Sequence, residues 1–341
     1  MIASPPLRLR LDGDALAANW RWLARSSGPA ACGAAVKADG YGLGAVAVVR
    51  RLAAEGCRDF FVATWAEAEA LGPLPEGCTL SVLHGVRAED MKAALASPAR
   101  PVLNTPGQVA RWRETGRPCD AMIDTGMNRL GLDVADAGLL MDLHLETLMS
   151  HLACADENSD RTEEQRRHFS AFAGTTSARR MSLANSAGIC LGAGYAFDLT
   201  RPGLALYGGV PRAEAAGHIA QVAHPEAAIL QRRILRAGDS IGYNATFVAP
   251  CDMEVAILNL GYADGYLRAF SSNGTAGGGR FPVLGRVSMD LTALCVDADP
   301  DLREGDWIGF DYDLPAASAA TGLSQYELLT GLGARFAREM G

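Results

Sequence analysis

The chain has 341 residues, 31 basic and 39 acidic side chains for a net charge of −8, and is 49% apolar and 21% charged. Such a composition excludes a disordered polymer, and the lack of a basic stripe or aromatic-interleaved patch argues against a nucleic-acid partner. No run approaches the ~18 apolar residues of a membrane span, and the opening "MIASPPLRLRLDGDAL" lacks the apolar core of a signal peptide, so no membrane partner and a reducing cytoplasm are expected.

The first predicted element is "LRLRLD", whose alternation reads as a strand, with residues 7–11 expected to pair with a distant carboxy-terminal domain. Short apolar runs bounded by turn residues then recur: "CGAAVKA", "DFFVAT", "LSVLHG", "PVLN", "AMID", "TLMSHLA", "RMSLAN" and "FDLTR". Segments with helical spacing lie between them, among them "WAEAEALGPL", "AEDMKAALA" and "TPGQVARWRE". Alternation of the two periods predicts a parallel sheet, and this strand count is that of a (β/α)8 barrel. The run "GLALYGG" competes with "FDLTR" for the last strand, and the motif placement below favours "FDLTR".

After about Gly217 the texture becomes short β-rich runs separated by Gly, Asp and Pro, with helix expected only in "SQYELLTGLGARFAREM". The expected architecture is therefore α/β: a (β/α)8 TIM barrel over 8–217, followed by a mainly β carboxy-terminal domain over 218–341. The segment "SSNGTAGGG" reads as flexible. Mixed-sign clusters such as "RWRETGR" read as solvated helix faces. The eight cysteines show no C-x-x-C and no Cys/His ligand spacing, so they read mostly as small core residues and no metal is expected.

Reactive groups in such barrels sit at the carboxyl ends of strands. Lys37 ends the first strand among small apolar neighbours that would desolvate its amine, making it either a candidate covalent nucleophile or an ion-paired lysine. The following "ADGYGLGA" supplies a flexible turn and the Tyr41 hydroxyl. Ser186 in "LANSAG" follows strand seven, and Gly203 and Leu204 in "RPGLALYGG" follow strand eight, the loops where barrels commonly hold a phosphate. A lysine nucleophile beside a phosphate pocket implies pyridoxal 5'-phosphate.

With "AVKADGYGLGA", "IDTGMNRLGL", "SHLACAD", "LANSAG", "TRPGLALYGG", "GYNATF", "LGYADGYLR" and "GRVSMD" in order, the sequence closely resembles the alanine racemase family. The resemblance implies a pyridoxal-phosphate enzyme interconverting L- and D-alanine, acting as a homodimer with shared active sites. It would supply D-alanine for peptidoglycan or for catabolism. Lys37 would hold the cofactor covalently and act as base on one face, and Tyr243 from the other subunit would be the base on the opposite face. Tyr41, Ser186, Gly203 and Leu204 would bind the phosphate. Arg201 would face the pyridine nitrogen, and His151 would lie near Arg201 and help tune the tyrosine. Arg129 would support the cofactor's phenolic oxygen and the substrate carboxylate, with the backbone N–H of Met289 from the other subunit completing that site.

Two positions depart from the family pattern. Met122 stands where many members carry a carbamylated lysine that pairs with the arginine. Ala334 stands where a tyrosine often reaches the cofactor phosphate. Both bear on cofactor positioning, and neither removes a proposed acid or base. The rival readings are a racemase of serine or broader range, a non-catalytic pyridoxal-phosphate barrel, a basic amino-acid decarboxylase and a metal-assisted D-threonine aldolase. The decarboxylase should have a glutamate where Arg201 stands, and the aldolase needs metal ligands that are missing from the carboxy-terminal sequence.

Overall fold

The computed structural model describes residues 5–341. By contacts these divide into two units: Leu16–Leu206 with Val210–Ala220, and the described residues through Ala15 with Tyr207–Gly209 and Gln221–Gly341. The division departs from the sequence-based boundaries of 8–217 and 218–341 in short segments. Strand β1 (Leu7–Leu11) accounts for the first of them, because it is built into the carboxy-terminal sheet. Residues 218–220 stay with the barrel through Asn19, a buried side chain of α1 (Gly13–Ser26) that bonds Ala220 N at 2.8 Å and Ala220 O at 2.9 Å.

The barrel begins with β2 (Ala31–Cys32) and β3 (Ala34–Ala35), interrupted at Gly33, where a Cβ would lie 2.7 Å from the Asp59 carbonyl. It continues through β4 (Asp59–Val62), β5 (Thr79–Val82), β6 (Arg100–Leu103), β7 (Cys119–Met122), β8 (Leu145–Met149) and β9 (Arg180–Ser182), a parallel sheet of seven strands from β3 to β9. The eighth position is β10 (Leu199–Thr200), paired with β2 and tied to the segment around β9 by Asp198 N to Met181 O (3.0 Å) and Arg201 N to Ala184 O (2.9 Å). These bonds close the ring. "FDLTR" thus supplies the last strand, and the competing "GLALYGG" forms a 3₁₀ turn over Leu204–Tyr207.

The helices of this unit include α2 (Lys37–Tyr41), α3 (Ala45–Glu55), α4 (Trp65–Leu71), α5 (Met91–Ala96), α6 (Pro106–Arg113), α7 (Asp160–Ser170) and α8 (Ser186–Cys190). Threonines cap two of them: Thr64 accepts from Glu67 N in a capping box, and Thr105 accepts from Gln108 N ahead of Pro106.

A polar layer crosses the barrel strands. Arg180 bonds Asp59 at 2.7 and 3.1 Å, Thr79 bonds Asp59 at 3.2 Å, and Asp120 accepts from Ser81 at 2.6 Å and Arg100 at 3.2 Å. Asp59 and Asp120 are buried, so deleting either arginine would strand a charge, typically at about 3–5 kcal/mol.

The carboxy-terminal unit is an eight-stranded sheet. Its spine is β11 (Ala223–Leu235), bulged between Ile229 and Gln231 so that one strand pairs first with β1 and then with a different neighbour. A short hairpin, β12 (Ser240–Ile241) with β13 (Phe247–Val248), precedes β14 (Met253–Leu258). The remaining strands are β15 (Thr275–Ala276), β16 (Phe281–Leu284), β17 (Thr292–Cys295), β18 (Trp307–Gly309) and β19 (Ala337–Met340), in the order β15-β16-β17-β14-β11-β1-β19 with β18 on β11.

Three sequence expectations are corrected. The helix expected throughout "SQYELLTGLGARFAREM" is confined to α10 (Gln325–Thr330), after α9 (Leu314–Thr321); glycines 331 and 333 break it, and residues 337–340 pair in parallel with β1. The "SSNGTAGGG" segment contributes β15, and its glycine turn wraps the Asp311 carboxylate, which accepts from Gly278 N at 2.9 Å and Gly279 N at 2.8 Å. Of the cysteines only Cys32, Cys57 and Cys119 are buried, and all eight are free thiols. Among the described residues, no helix is long and apolar enough to cross a membrane.

Candidate active site

Lys37 follows β3, at the carboxyl end of the first barrel strand. The next four residues are all left-handed: Ala38 and Asp39 at φ 52°, Gly40 at 63° and Tyr41 at 57°. For the three that are not glycine this costs about 1–2 kcal/mol each. The turn persists because it is over-determined. Asp39 accepts from Ala45 N at 2.8 Å, Gly42 N reaches Ala38 O at 2.8 Å, and Glu67 accepts from Ala38 N at 3.0 Å and Ala63 N at 2.6 Å. What reads in sequence as a flexible turn is therefore a strained, fully bonded one. It brings Tyr41, which is buried, so close to Gly203 that a Cβ at position 203 would overlap the phenol hydroxyl.

Ser186 opens α8, whose cap Asn185 accepts from Gly188 N at 2.8 Å. The Ser186 Oγ accepts from Gly203 N at 2.9 Å and Ala205 N at 3.2 Å, which leaves its own O–H to donate elsewhere. Leu204, between those two amides, is buried. Tyr41, Ser186, Gly203 and Leu204 thus come from three separated stretches of sequence into one small region lined by a hydroxyl, a phenol and backbone amides.

Arg201 is buried and donates to Ser182 Oγ and, at 2.6 Å, to the Ser150 carbonyl. Burial lowers its pKa to about 10 while the charge of Asp120 opposes the shift, so it stays cationic at neutral pH. His151 follows β8. Burial, then the positive charges of Arg201, Arg129 and Lys37, depress its imidazole to about 3, so it is neutral throughout the physiological range. The Lys37 amine is lowered from its usual value by burial first and then by Arg129, with Glu67 pulling the other way and Arg201 adding a smaller push. The charges of Arg129 and Arg201 act on both Lys37 and His151, and that of Lys37 acts on His151, which places the four in one electrostatic neighbourhood.

Arg129 lies on a loop shaped by Asp124, whose Oδ1 accepts from Gly126 N at 2.8 Å and Met127 N at 2.9 Å. Gly131 is required there, since a Cβ would sit 2.7 Å from Asp124 N. The Arg129 side chain is exposed and makes no hydrogen bond or ion pair with another described residue. Met122, the last residue of β7, is buried.

Tyr243 and Met289 belong to the carboxy-terminal unit. Tyr243 sits at the tip of the β12–β13 hairpin, whose stem is anchored by Ile241 and Phe247 in a cluster with Leu235, Ala249, Val255 and Leu284. Tyr243 is 61% exposed as a residue and Met289 53%. Sequence reasoning missed Glu67, although the Thr64-x-x-Glu67 spacing is a capping-box signal that marks it. It also missed Asp39 and Asp124, whose roles are to shape loops.

An amine with depressed basicity, donors grouped beside it and two cations nearby suit an anionic cofactor or substrate and proton transfer at the lysine. Two family models match the chain, the alanine racemase N-terminal domain over residues 11–211 and C-terminal domain over 222–340. The alanine racemase of Acidiphilium cryptum is 42% identical, with 97% of both chains covered, and the biosynthetic alanine racemase of Agrobacterium fabrum 39% identical, with 98% of this chain and 93% of that one covered. The crystal structure of Bartonella henselae alanine racemase, with covalently bound pyridoxal phosphate, superimposes with a TM-score of 0.88 at 32% identity, covering 99% of this chain and 100% of the other. Matched along nearly its whole length in both sequence and fold, the chain belongs to the alanine racemase family.

Proposed function

We propose that this chain interconverts L- and D-alanine using pyridoxal 5'-phosphate, with Lys37 and Tyr243 moving the Cα proton on opposite faces. The observation that carries the reading is the neighbourhood of Lys37: a depressed amine fixed by a strained turn, beside a cradle that a single Cβ at Gly203 would fill. When bound, the cofactor supplies an electron sink that acidifies the Cα–H of the amino acid joined to it.

The residues fit such a group. Lys37, whose charged form is disfavoured by burial, provides the amine for covalent attachment and then holds or returns a proton on its face. The Ser186 hydroxyl, the Tyr41 phenol and the amides around Gly203 and Leu204 hold the phosphate. Arg201 would offer the pyridine nitrogen only donors and could not give that ring a carboxylic proton, so it would not strengthen the ring as an electron sink. This favours racemisation over transamination. His151 feels the charge of Arg201 and is a neutral ring, so in this reading the positive field that would make a tyrosine a better base comes from Arg201. Arg129 takes the carboxylate and the phenolic oxygen without a lysine at position 122 to orient it.

The assembly in this reading is a cytoplasmic homodimer in which Tyr243 and Met289 act on the partner subunit's lysine-bound site. Its product serves peptidoglycan synthesis or D-alanine catabolism. The test is proton NMR of L-alanine in heavy water with cofactor-loaded protein, followed together with optical rotation. Loss of the Cα proton signal with rotation decaying to zero, and no pyruvate or amine, is the expected result. No exchange despite a lysine-bound cofactor overturns it, and exchange of serine at a comparable rate redirects the reading to a broader racemase.

A further inference from the structure

The loop carrying Met289 is held by one three-pronged side chain. Arg335 Nε and Nη2 donate to the two oxygens of Asp264 at 2.6 and 2.8 Å, and Nη1 donates to Asp290 Oδ1 at 2.6 Å. Asp264 is fully buried and also accepts from Gly261 N at 3.0 Å. The carbonyls of Ser288 and Met289 accept from Tyr262 N and Ala263 N, each at 3.0 Å, and Ser288 N closes a tight turn onto Leu291 O at 2.9 Å. Gly261 approaches so closely that a Cβ would overlap the Met289 carbonyl. The N–H of Met289, by contrast, bonds to no group among the described residues. One edge of the loop is pinned, and the amide on the other is free to donate.

An exposed ion pair such as Arg335–Asp290 ordinarily contributes little, because two long side chains must be ordered to make it. Here the bidentate grip on a buried carboxylate has already ordered the guanidinium, so its third arm reaches Asp290 with little further loss of freedom. Asp264 needs that cation in any case, since a buried carboxylate without a partner is strongly unfavourable.

We propose that Asp264, Arg335 and Asp290 form a positioning clamp that aims the Met289 N–H at the substrate carboxylate. This deepens the reading above and rests on Met289 being that donor. It also gives the carboxy-terminal "GLGARFARE" segment a part in the reaction although Ala334 offers the cofactor nothing.

Asp290→Ala keeps the Asp264–Arg335 pair and removes only the arm to the loop. In the cofactor-loaded enzyme, amide hydrogen exchange over residues 288–291 should quicken by about three- to fivefold, the scale of one ordered ion pair. KM for alanine should rise by a similar factor, with kcat within about twofold. Arg335→Lys, a point charge able to serve one carboxylate at a time, should repeat both changes. Unchanged exchange overturns the clamp whatever Met289 does. Quicker exchange with unchanged KM overturns the link to substrate and indicts the reading of Met289 on which it rests.

Discussion

Lys37, His151 and Arg201 lie in desolvated surroundings, where their acidities depart from the ordinary values, whereas Tyr243 stands 61% exposed at a hairpin tip and Met289 53% exposed on its loop. The barrel unit therefore builds the environment of its own reactive groups. The carboxy-terminal unit spends its order on the supports, a packed hairpin stem and an arginine clamp, and leaves the functional groups themselves in the open. In the proposed assembly a partner subunit's surface covers the exposed set, which is how the two sets would complete one another.

Substitution at the two groups proposed to move the proton sharpens this contrast most. Lys37→Ala should lower racemisation by more than about 10³-fold and abolish covalent cofactor attachment, read by absorbance and by mass after borohydride reduction. Tyr243→Phe should lower turnover by about 10²–10⁴-fold while leaving the attached cofactor in place. Full activity in the tyrosine variant would break the comparison, since the exposed hairpin would then be scaffold alone.

A smaller effect is expected at the barrel's cradle. Gly203→Ala forces a methyl into the Tyr41 hydroxyl, a strain of about 1–3 kcal/mol, so cofactor affinity should drop roughly tenfold or more. Alanine at the exposed Gly278, whose added Cβ meets nothing within 4 Å, should leave that affinity unchanged.

A separate effect, on folding and not on turnover, concerns acid stability. His151 has a folded-state pKa of about 3 against an ordinary 6.5, so between those values the unfolded chain binds a proton that the folded chain refuses. Stability should therefore rise with pH across that window, by up to about 1.4 kcal/mol per unit from this residue. Urea melts at pH 4.5, 5.5 and 6.5 should show a shallower slope for His151→Gln. An unchanged slope would mean that the ring is not held neutral.

Much of the barrel was legible because strand and helix periods alternate and each βα unit is local. "FDLTR" and "GLALYGG" are both strand-like, and motif placement rather than local pattern favours "FDLTR", because what decides is pairing with residues 31–32, some 170 positions away. The carboxy-terminal helix was over-read for a related reason: "ARFAREM" has helical texture, but parallel pairing with β1 decides its conformation. At the site, Lys37, Ser186 and Gly203 were legible from their places after barrel strands, while Arg201, His151, Arg129, Tyr243 and Met289 came through the family resemblance. Asp264, Arg335 and Asp290 were not, since nothing local in "YADGY", "RVSMD" or "GARFA" reveals that one guanidinium joins all three.

The most direct test of the central claim mixes two inactive proteins. Lys37→Ala and Tyr243→Phe subunits, exchanged and verified as heterodimers, should recover part of the wild-type racemase activity, because one of the two sites then has both a wild-type lysine and a wild-type tyrosine. Recovery toward a quarter of the wild-type rate in a statistical mixture is the result the account predicts, on the order expected when half the dimers carry one working site in two. No recovery despite demonstrated exchange would contradict it, and would place both bases within a single chain.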